Sequence, residues 1–415
     1  MDSRALGDAV VDTATYRSEA AYHNLFTRLR RETPLAWAEP KGYRPFWVVT
    51  KHADIRDLEL RADEFINAPR TFLMTLEEEK KLAQAQAAGI TPMGRSVAQL
   101  DGGEHKAIRG ATELWFAPAN LNTIKDQVRR IAREAIDDML AHGGSCDFVR
   151  DVALWYPLRV IMLILGLPRE DESFLLKLTQ ETFSPSDPDT DAEAGVAGMI
   201  EASRLIQEYF AAVTADRRCT PRDDAASVIS NAKLNGAPMS DVDIAAYYLT
   251  IITAGHDTTS STTAGGLLAL LQNPGEFEKL KSGAATVDSA VSEFLRWTTP
   301  LKHFFRTAAA DTAFNDIAIS AGQNLMVCYP SGNRDEGVFA DPFAFRIDRK
   351  PNPHLTFGYG PHICLGQHLA RLEMRTFYEE FMARIDHVEL AGPTALTETN
   401  FVQGLKQLPI TFRPK

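Results

Sequence analysis

The chain predicts a mainly α protein with a smaller β portion, an α+β arrangement. Three observations carry this. Residues 104–216 read as helix almost throughout, residues 241–273 give one long helical pattern, and strand-like text is confined to short runs near residues 35–50, 304–330 and the C-terminal tail. The 415 residues are 45% hydrophobic and 24% charged, which suits a globular enzyme. Length alone would suggest two or three domains. A formal net charge of −11 argues against nucleic acid as a partner. No apolar run reaches the roughly 18 residues of a membrane span, so no membrane association is expected. The start, "MDSRALGDAVVDTATYR", lacks the basic lead and apolar core of a signal peptide, so a cytoplasmic protein is expected, with residues 1–15 flexible.

The elements follow in order. The first sixty residues start helical. Two short apolar runs then flank Pro40, Gly42 and Pro45, the pattern of a hairpin. Residues 70–100 are loop-rich, with "LEEEKKLAQAQAAG" as a short solvated helix. The helical stretch that follows is broken by "GLPRED" and by "SPSDPDTDAE", the second having the composition of a mobile surface loop. The long helix opens at Ser240-Asp241 and closes at Asn273-Pro274, a capping serine at one end and a proline stop at the other. At about 1.5 Å per residue it spans on the order of 50 Å, enough to cross a domain. A helix over 285–298 comes next, then strands around 304–330. A Pro- and Arg-rich irregular segment covers 340–355, and the tail "FVQGLKQLPITFRP" reads as short strands. No internal repeat or low-complexity linker divides the chain.

The four cysteines, Cys146, Cys219, Cys328 and Cys364, are far apart and form no C-x-x-C pair, which argues against a zinc ribbon or disulfide scaffold. Only Cys364 has a distinctive setting, "TFGYGPHICLGQHLARLEM". Gly358, Gly360 and Gly366 permit close backbone approach, and Phe357 can shield the sulfur. Leu365, Leu369, Leu372, Phe377 and Phe381 approximate one apolar helical face after it, leaving Gln367, Arg371, Glu379 and Glu380 to solvent or polar partners. Cys364 therefore sits at or just before a helix N-terminus, where the dipole and unpaired N–H groups favour an easily ionised thiol. Three readings stay open on these residues: a structural cysteine, a nucleophile with His362 as base, or a metal ligand. A dinucleotide fingerprint fails, because Ile363 occupies the third glycine position.

Two further stretches carry chemistry. In "AGHDTTSS", on the long helix, Thr250, Ala254 and Thr258 share one face. Ala254 and Gly255 remove bulk, Thr258 can bond back to the Ala254 carbonyl, and the acid Asp257 beside the alcohol Thr258 suits a proton relay. The flanking text "YYLTIITAG" and "TTAGGLLALL" is too apolar for a surface helix. In "EFLR", Glu293 and Arg296 lie three apart, which on most helices is a surface pair worth a few tenths of a kcal/mol, roughly.

"FGYGPHICLG" resembles the haem-binding loop of the cytochrome P450 family, F-G-x-G-x-H-x-C-x-G, and matches at every specified position. The resemblance implies that Cys364 is the axial thiolate ligand of the iron of haem b, with Ala254, Phe357, Gly358 and Gly366 against the cofactor. "AGHDT" is similar to the family's oxygen-activation motif, which implies that Asp257 and Thr258 deliver protons to bound dioxygen. Glu293 and Arg296 resemble the family's buried E-x-x-R pair. The third member would be Arg349 of "FRIDRKPNPH", with Arg346 as the alternative, and all three hold the haem loop. His105 and Arg109 of "GGEHKAIRG", Arg306 of "HFFRTA" and His362 match family positions for propionate contacts. One departure is Gly102-Gly103, where the family commonly has two prolines.

The resemblance spans Leu35 to the C-terminus. It implies a single domain over residues 1–415, a triangular prism with haem between the long central helix and the Cys-loop helix. The implied activity is a monooxygenase that inserts one oxygen atom of O2 into a C–H bond. Its electrons would come from NAD(P)H through a ferredoxin reductase and an iron–sulfur ferredoxin. Lys106, Arg109, Arg371 and Arg375 would supply a local basic patch. Several stretches ("LKLTQETF", "NRDE", "CLGQHLARLEM") resemble terpineol-hydroxylating members, which suggests a small hydrophobic substrate, a monoterpenoid or alkyl-aromatic hydrocarbon. Thr250, Thr253, Ala254, Leu301, Phe304, Phe401 and Val402 match pocket positions. Lys302 fits poorly there, and its ammonium is expected to point away from the haem. Loops at 70–100 and 175–200 would shape substrate entry. The alternatives are a peroxide-driven peroxygenase and a non-enzymatic haem-binding sensor.

Overall fold

A computed structural model describes residues 2–87, 96–183, 195–234 and 236–415. Helix α1 (Ser3–Val11) is capped by the Asp2 side chain, which accepts from the Ala5 N–H, and it buries Leu6 and Val10. The described part of residues 1–15 is largely helical and seats those apolar side chains. Helix α2 (Glu19–Glu32) follows, and with α1 it packs Tyr22, Phe26 and Leu29 onto a sheet.

That sheet contains the expected hairpin, β1 (Leu35–Ala38) and β2 (Phe46–Val49), in antiparallel register Leu35↔Val49. Helix α3 (His52–Leu60) leads to β3 (Phe65–Ile66). Strands β4 (His303–Ala308) and β5 (Asn324–Cys328) complete the order β1-β2-β5-β4-β3, with β5 parallel to β2 and antiparallel to β4.

The helical body holds the largest core. Its members are α4 (Gly102–Glu113), α5 (Pro118–Ala141), α6 (Trp155–Leu165), α7 (Glu172–Phe183), α8 (Gly195–Cys219), α9 (Asp241–Gln272), α10 (Val287–Thr298) and α11 (Gln367–Arg384). Helix α9 runs 32 residues through the middle. Ser240 caps it by accepting from the Asp243 N–H, and Asn273 closes it before Pro274 begins the next helix. Ile244, Tyr248, Ile252, Leu267 and Leu270 bury sides facing α6, α8 and α10. Each large apolar side chain so buried contributes about 1.5–3 kcal/mol.

One expectation changes. Helix α11 buries more than one face: Glu373, Met374, Thr376 and Tyr378 are interior along with Leu369 and Phe377, because α5, α10 and α9 all pack on it. Within 70–100 the expected short helix is present as Leu76–Ala87; 88–95 lie outside the described residues, and 96–100 carry a short 3-10 turn. Within 175–200, the described residues are helical at both ends, and "SPSDPDTDAE" lies outside the described residues. The unusual Gly102-Gly103 opens α4, with Gly102 at φ +56, a conformation that favours glycine. Asp101, just before it, turns its carboxylate to the N–H groups of Asn67 and Ala68 at 2.8 and 2.9 Å.

Candidate active site

Cys364 lies three residues before α11. Its own N–H donates to the Phe357 carbonyl at 2.8 Å, and the N–H groups of Gly366 and Gln367 donate toward its sulfur. Gly358 and Gly360 take φ +70 and +68, and a Cβ at Gly360 would stand 2.5 Å from the Glu59 carbonyl oxygen. No side chain fits that approach, so the loop needs glycine there. The residue keeps open surface although protein surrounds the sulfur, as expected for a thiol facing an internal space. Burial pushes its pKa up; the two N–H groups and the Arg109 charge pull it down without overcoming that. The expectation of an easily ionised thiol is therefore corrected: desolvation outweighs the helix terminus, and a bound cation would have to supply the difference.

The loop is tied to α10 by a polar latch. Glu293 and Arg296 are fully buried and bond at 2.7 and 2.8 Å. Arg349 reaches the same carboxylate at 3.3 Å and donates to the carbonyls of Ala340, Asp341 and Ala344. Arg346 offers only its backbone N–H to Glu293; its side chain is half exposed and lies 3.7 Å from Asp348. Arg296 continues to the Asn333 carbonyl. The Asn333 side chain then accepts from the Leu355 N–H at 2.6 Å and donates to Thr356 Oγ1 at 3.0 Å, at the start of the thiol loop. Asn352 adds a bond to Glu293 at 3.1 Å.

Two arginines and two histidines gather beside the thiol. The His105 and His362 rings lie tilted at 32° with centroids 3.9 Å apart, and Asn67 bonds the His362 ring at 2.8 Å. Burial first, then the neighbouring His105, Arg306 and Arg109, push His362 down to about 3. Burial and Arg109 lower His105 as well. Arg306 is buried and donates to Glu59 Oε1 at 2.7 Å, an oxygen also bonded by the Tyr329 hydroxyl at 2.7 Å. A cation cluster that suppresses its own protonation is one that added carboxylates would relieve, and the two propionates of haem supply them. The residues present therefore fit a haem. Of the other basic-patch candidates, Lys106 is exposed, Arg371 bonds Ser292 and His354, and Arg375 lies 3.4 Å from Asp288.

On α9, Thr258 donates to the Ala254 carbonyl at 2.7 Å, and Ala254 is exposed although Thr253 and His256 beside it are buried. A mid-helix alanine open on a buried helix marks an internal space on that face. Thr250 donates to the Ala246 carbonyl at 2.7 Å and meets Ser96 at 3.0 Å; Thr253 donates to Leu249 at 2.7 Å. Phe304 and Phe401 form a wall with Phe72, at centroid separations of 5.2–6.0 Å, and Leu301 bridges Val402. Lys302 turns the other way, to the Thr298 and Thr299 carbonyls at 3.3 and 3.1 Å.

Sequence reading missed Glu59, Asn67, Phe72, Asn333 and Asn352, which reach the site through distant elements and carry no local signal. It also passed over His256, although that residue lies inside "AGHDTTSS".

A thiol facing an internal space, a cation cluster fit for two carboxylates and a hydroxyl-bearing central helix describe the class of haem-thiolate proteins. The cytochrome P450 family model matches residues 197–393. The chain is 41% identical to cytochrome P450-terp of a Pseudomonas species over 99% of each chain. It is 35% identical to a steroid C26-monooxygenase of Mycolicibacterium smegmatis over 76% of this chain and 79% of that one. Its fold superposes on the crystal structure of CYP108D1 from Novosphingobium aromaticivorans with TM-score 0.92 and 38% identity, covering 99% and 98% of the two chains. The chain belongs to the cytochrome P450 family and is a monooxygenase of the P450 fold. Enzymes of this family carry haem iron and use O2, a hydrophobic substrate and redox partners. Among the described residues, no helix is long and apolar enough to cross a membrane.

Proposed function

We propose that this enzyme hydroxylates a compact hydrophobic substrate, a monoterpenoid or alkyl-aromatic hydrocarbon. In this reading the chain is one domain that works in the cytoplasm, binds haem b through Cys364, and draws electrons from NAD(P)H through a ferredoxin reductase and an iron–sulfur ferredoxin. The observation that carries this is the open surface kept by two residues, Cys364 in the glycine loop and Ala254 on an otherwise buried helix. The likeness to cytochrome P450-terp supports the terpenoid, as does a structural neighbour from Mycobacterium marinum, 29% identical, in complex with pseudoionone.

Haem bound there supplies a thiolate-ligated iron that activates O2. Cys364 provides the ligand, and its two N–H donors temper the sulfur's charge. Arg109, Arg306, His105 and His362 would hold the propionates, while Glu293, Arg296 and Arg349 keep the loop in place. Phe72, Phe304, Phe401, Leu301 and Val402 exclude water and take an apolar body. Thr250 and Thr253 commit their hydroxyl protons to α9 carbonyls, so they offer methyl groups more readily than donors. Asp257 and Thr258 carry protons along the helix face.

The test is optical. Reduced protein under carbon monoxide should show the absorbance of thiolate coordination, and Cys364→Ser should lose it. Small hydrophobic compounds should be screened for a substrate-induced Soret shift, with terpenoids expected to give the strongest. Turnover should require ferredoxin and NADH; turnover with peroxide alone at equal rate would mark a peroxygenase. Thr258→Ala should still consume NADH but release peroxide in place of product, and tight coupling in that variant would remove the relay role.

A further inference from the structure

A buried histidine stands beside the acid of the central helix. His256 has no exposed surface. Its Nε2 lies 2.8 Å from the Leu154 carbonyl, and its Nδ1 lies 3.0 Å from Asp257 Oδ1 and 3.4 Å from Thr179 Oγ1. The Thr179 hydroxyl gives its own proton to the Leu176 carbonyl at 2.8 Å. A carbonyl only accepts, so Nε2 carries a hydrogen. Nδ1 then faces a carboxylate oxygen at 3.0 Å and a hydroxyl oxygen at 3.4 Å, the hydroxyl having its shorter bond to the Leu176 carbonyl. Bare lone pairs at 3.0 Å repel, whereas a proton on Nδ1 turns the contact into an ion pair with the Asp257 carboxylate. Together His256 and Asp257 therefore hold one proton more than a neutral imidazole beside an ionised carboxylate.

The surroundings agree. Burial would strip a proton from His256, but the Asp257 charge, the bond to Asp257 and the Leu154 carbonyl outweigh it, and its pKa is raised. From α7 it meets the neutral Thr179, from the turn before α6 the Leu154 carbonyl, and Ile161 of α6 packs on Gly255 next to it. Among the described residues, Asp257 is the only charged group that acts on it.

We infer that His256 stores the proton that Asp257 hands to Thr258. This rests on the relay reading of Asp257 and Thr258 above. The proton on Nδ1 moves to Asp257 Oδ1, leaving His256 neutral with hydrogen on Nε2. Asp257 passes its proton to the Thr258 hydroxyl oxygen as the Thr258 proton leaves the Ala254 carbonyl for the space on that helix face. Asp257, whose side chain is 22% exposed, takes a proton from water, and the shared proton is restored. One proton enters from solvent for each one delivered. His256 touches neither substrate nor cofactor; it is a positioning residue that keeps the acid loaded.

The experiment uses the haem-loaded enzyme, reduced and CO-bound so that it is diamagnetic, with its ten histidines labelled with nitrogen-15. His256→Asn identifies the resonances. His256 Nδ1 should lack the shift of a bare acceptor and keep its proton above the ordinary histidine range near about 6.5. In Asp257→Asn it should revert to an ordinary neutral ring. A bare Nδ1 at neutral pH in the wild type, indifferent to Asp257→Asn, overturns the inference without any activity measurement. The second readout is product formed per NADH against pH. The wild type should lose coupling only as pH rises through the raised pKa, while His256→Asn, with its CO spectrum intact, should fall on the order of tenfold already at neutral pH. If Thr258→Ala uncouples the enzyme and His256→Asn does not, the storage role fails and the relay stands. If Thr258→Ala stays coupled, the relay reading itself fails. Should His256→Asn not fold, the wild-type and Asp257→Asn spectra still decide.

Discussion

Around Glu293, Arg296, Arg349 and Asn352 bond both carboxylate oxygens, and the carboxylate has no exposed surface. Around Phe401, three half-buried rings meet at 5.2–6.0 Å with no polar bond among their side chains. The first region has one geometry, because moving any member strands a buried charge. The second tolerates other shapes, because apolar contacts are non-directional. A family can therefore keep the latch and vary the wall: one positions the metal ligand, the other chooses the substrate.

The most severe way to break this contrast is at the latch. Glu293→Gln removes the charge that two buried arginines share. The expected loss is about 3–5 kcal/mol, the usual cost of stranding a buried partner. Denaturant unfolding should show it, and purified protein should carry little haem, because Asn333, Leu355 and Thr356 lose their anchor. A variant that folds and binds haem normally would show the latch to be dispensable.

Acid comes next and touches both regions. His354, beside the thiol loop, is pushed down to about 3 by burial and by Arg371 and Arg296. His303, on β4 next to Phe401, is pushed down to about 4 by burial, partly offset by the Asn400 carbonyl. Both folded pKa values lie below the unfolded one, so as pH falls the unfolded chain takes up protons first. Stability is retained above about pH 6.5 and lost as pH falls, toward about 4 for His303 and about 3 for His354, at up to about 1.4 kcal/mol per pH unit for each group. Denaturant midpoints at several pH values would show it, and His354→Gln should flatten the slope by its own share.

The same contrast explains what could be read from the chain. Cap and stop residues such as Ser240, Asn273 and Pro274 act within a few positions, so α9 was legible to within a residue. Cys364 and its glycines were legible because the close approach constrains neighbours in sequence. The partner at the Gly360 turn was not, since Glu59 comes from 301 residues earlier and meets it only in the fold. Phe72 was hidden for the same reason, lying in loop text without periodicity. The thiol's ionisation was misjudged because a helix terminus is a local feature, whereas desolvation depends on everything packed around it.

At the wall, Phe401→Ala should act on the substrate more than on the fold. It removes a half-buried ring from three aromatic partners, Phe72, His303 and Phe304, and substrate affinity should fall by about 1–3 kcal/mol, read as the midpoint of the Soret titration. Unfolding should move less than for Glu293→Gln. Equal losses in stability would mean that the wall is as rigidly specified as the latch.

The smallest effect should come from Lys302, which sits between Leu301 and His303 yet belongs to neither region. Its ammonium bonds two carbonyls at the end of α10 and lies 5.9 Å from the Tyr22 ring. Burial lowers its pKa to about 8, so holding the charge there is costly, and the carbonyls return part of that cost. Lys302→Met keeps the length and removes both the charge and its desolvation. A change within about 1 kcal/mol in either direction is expected, since replacing a buried charge with a well-packed apolar chain is often neutral. The Soret titration of an apolar substrate should keep its midpoint. A marked gain in affinity would mean that the ammonium faces the substrate, and β4 would then belong to the pocket along its whole length.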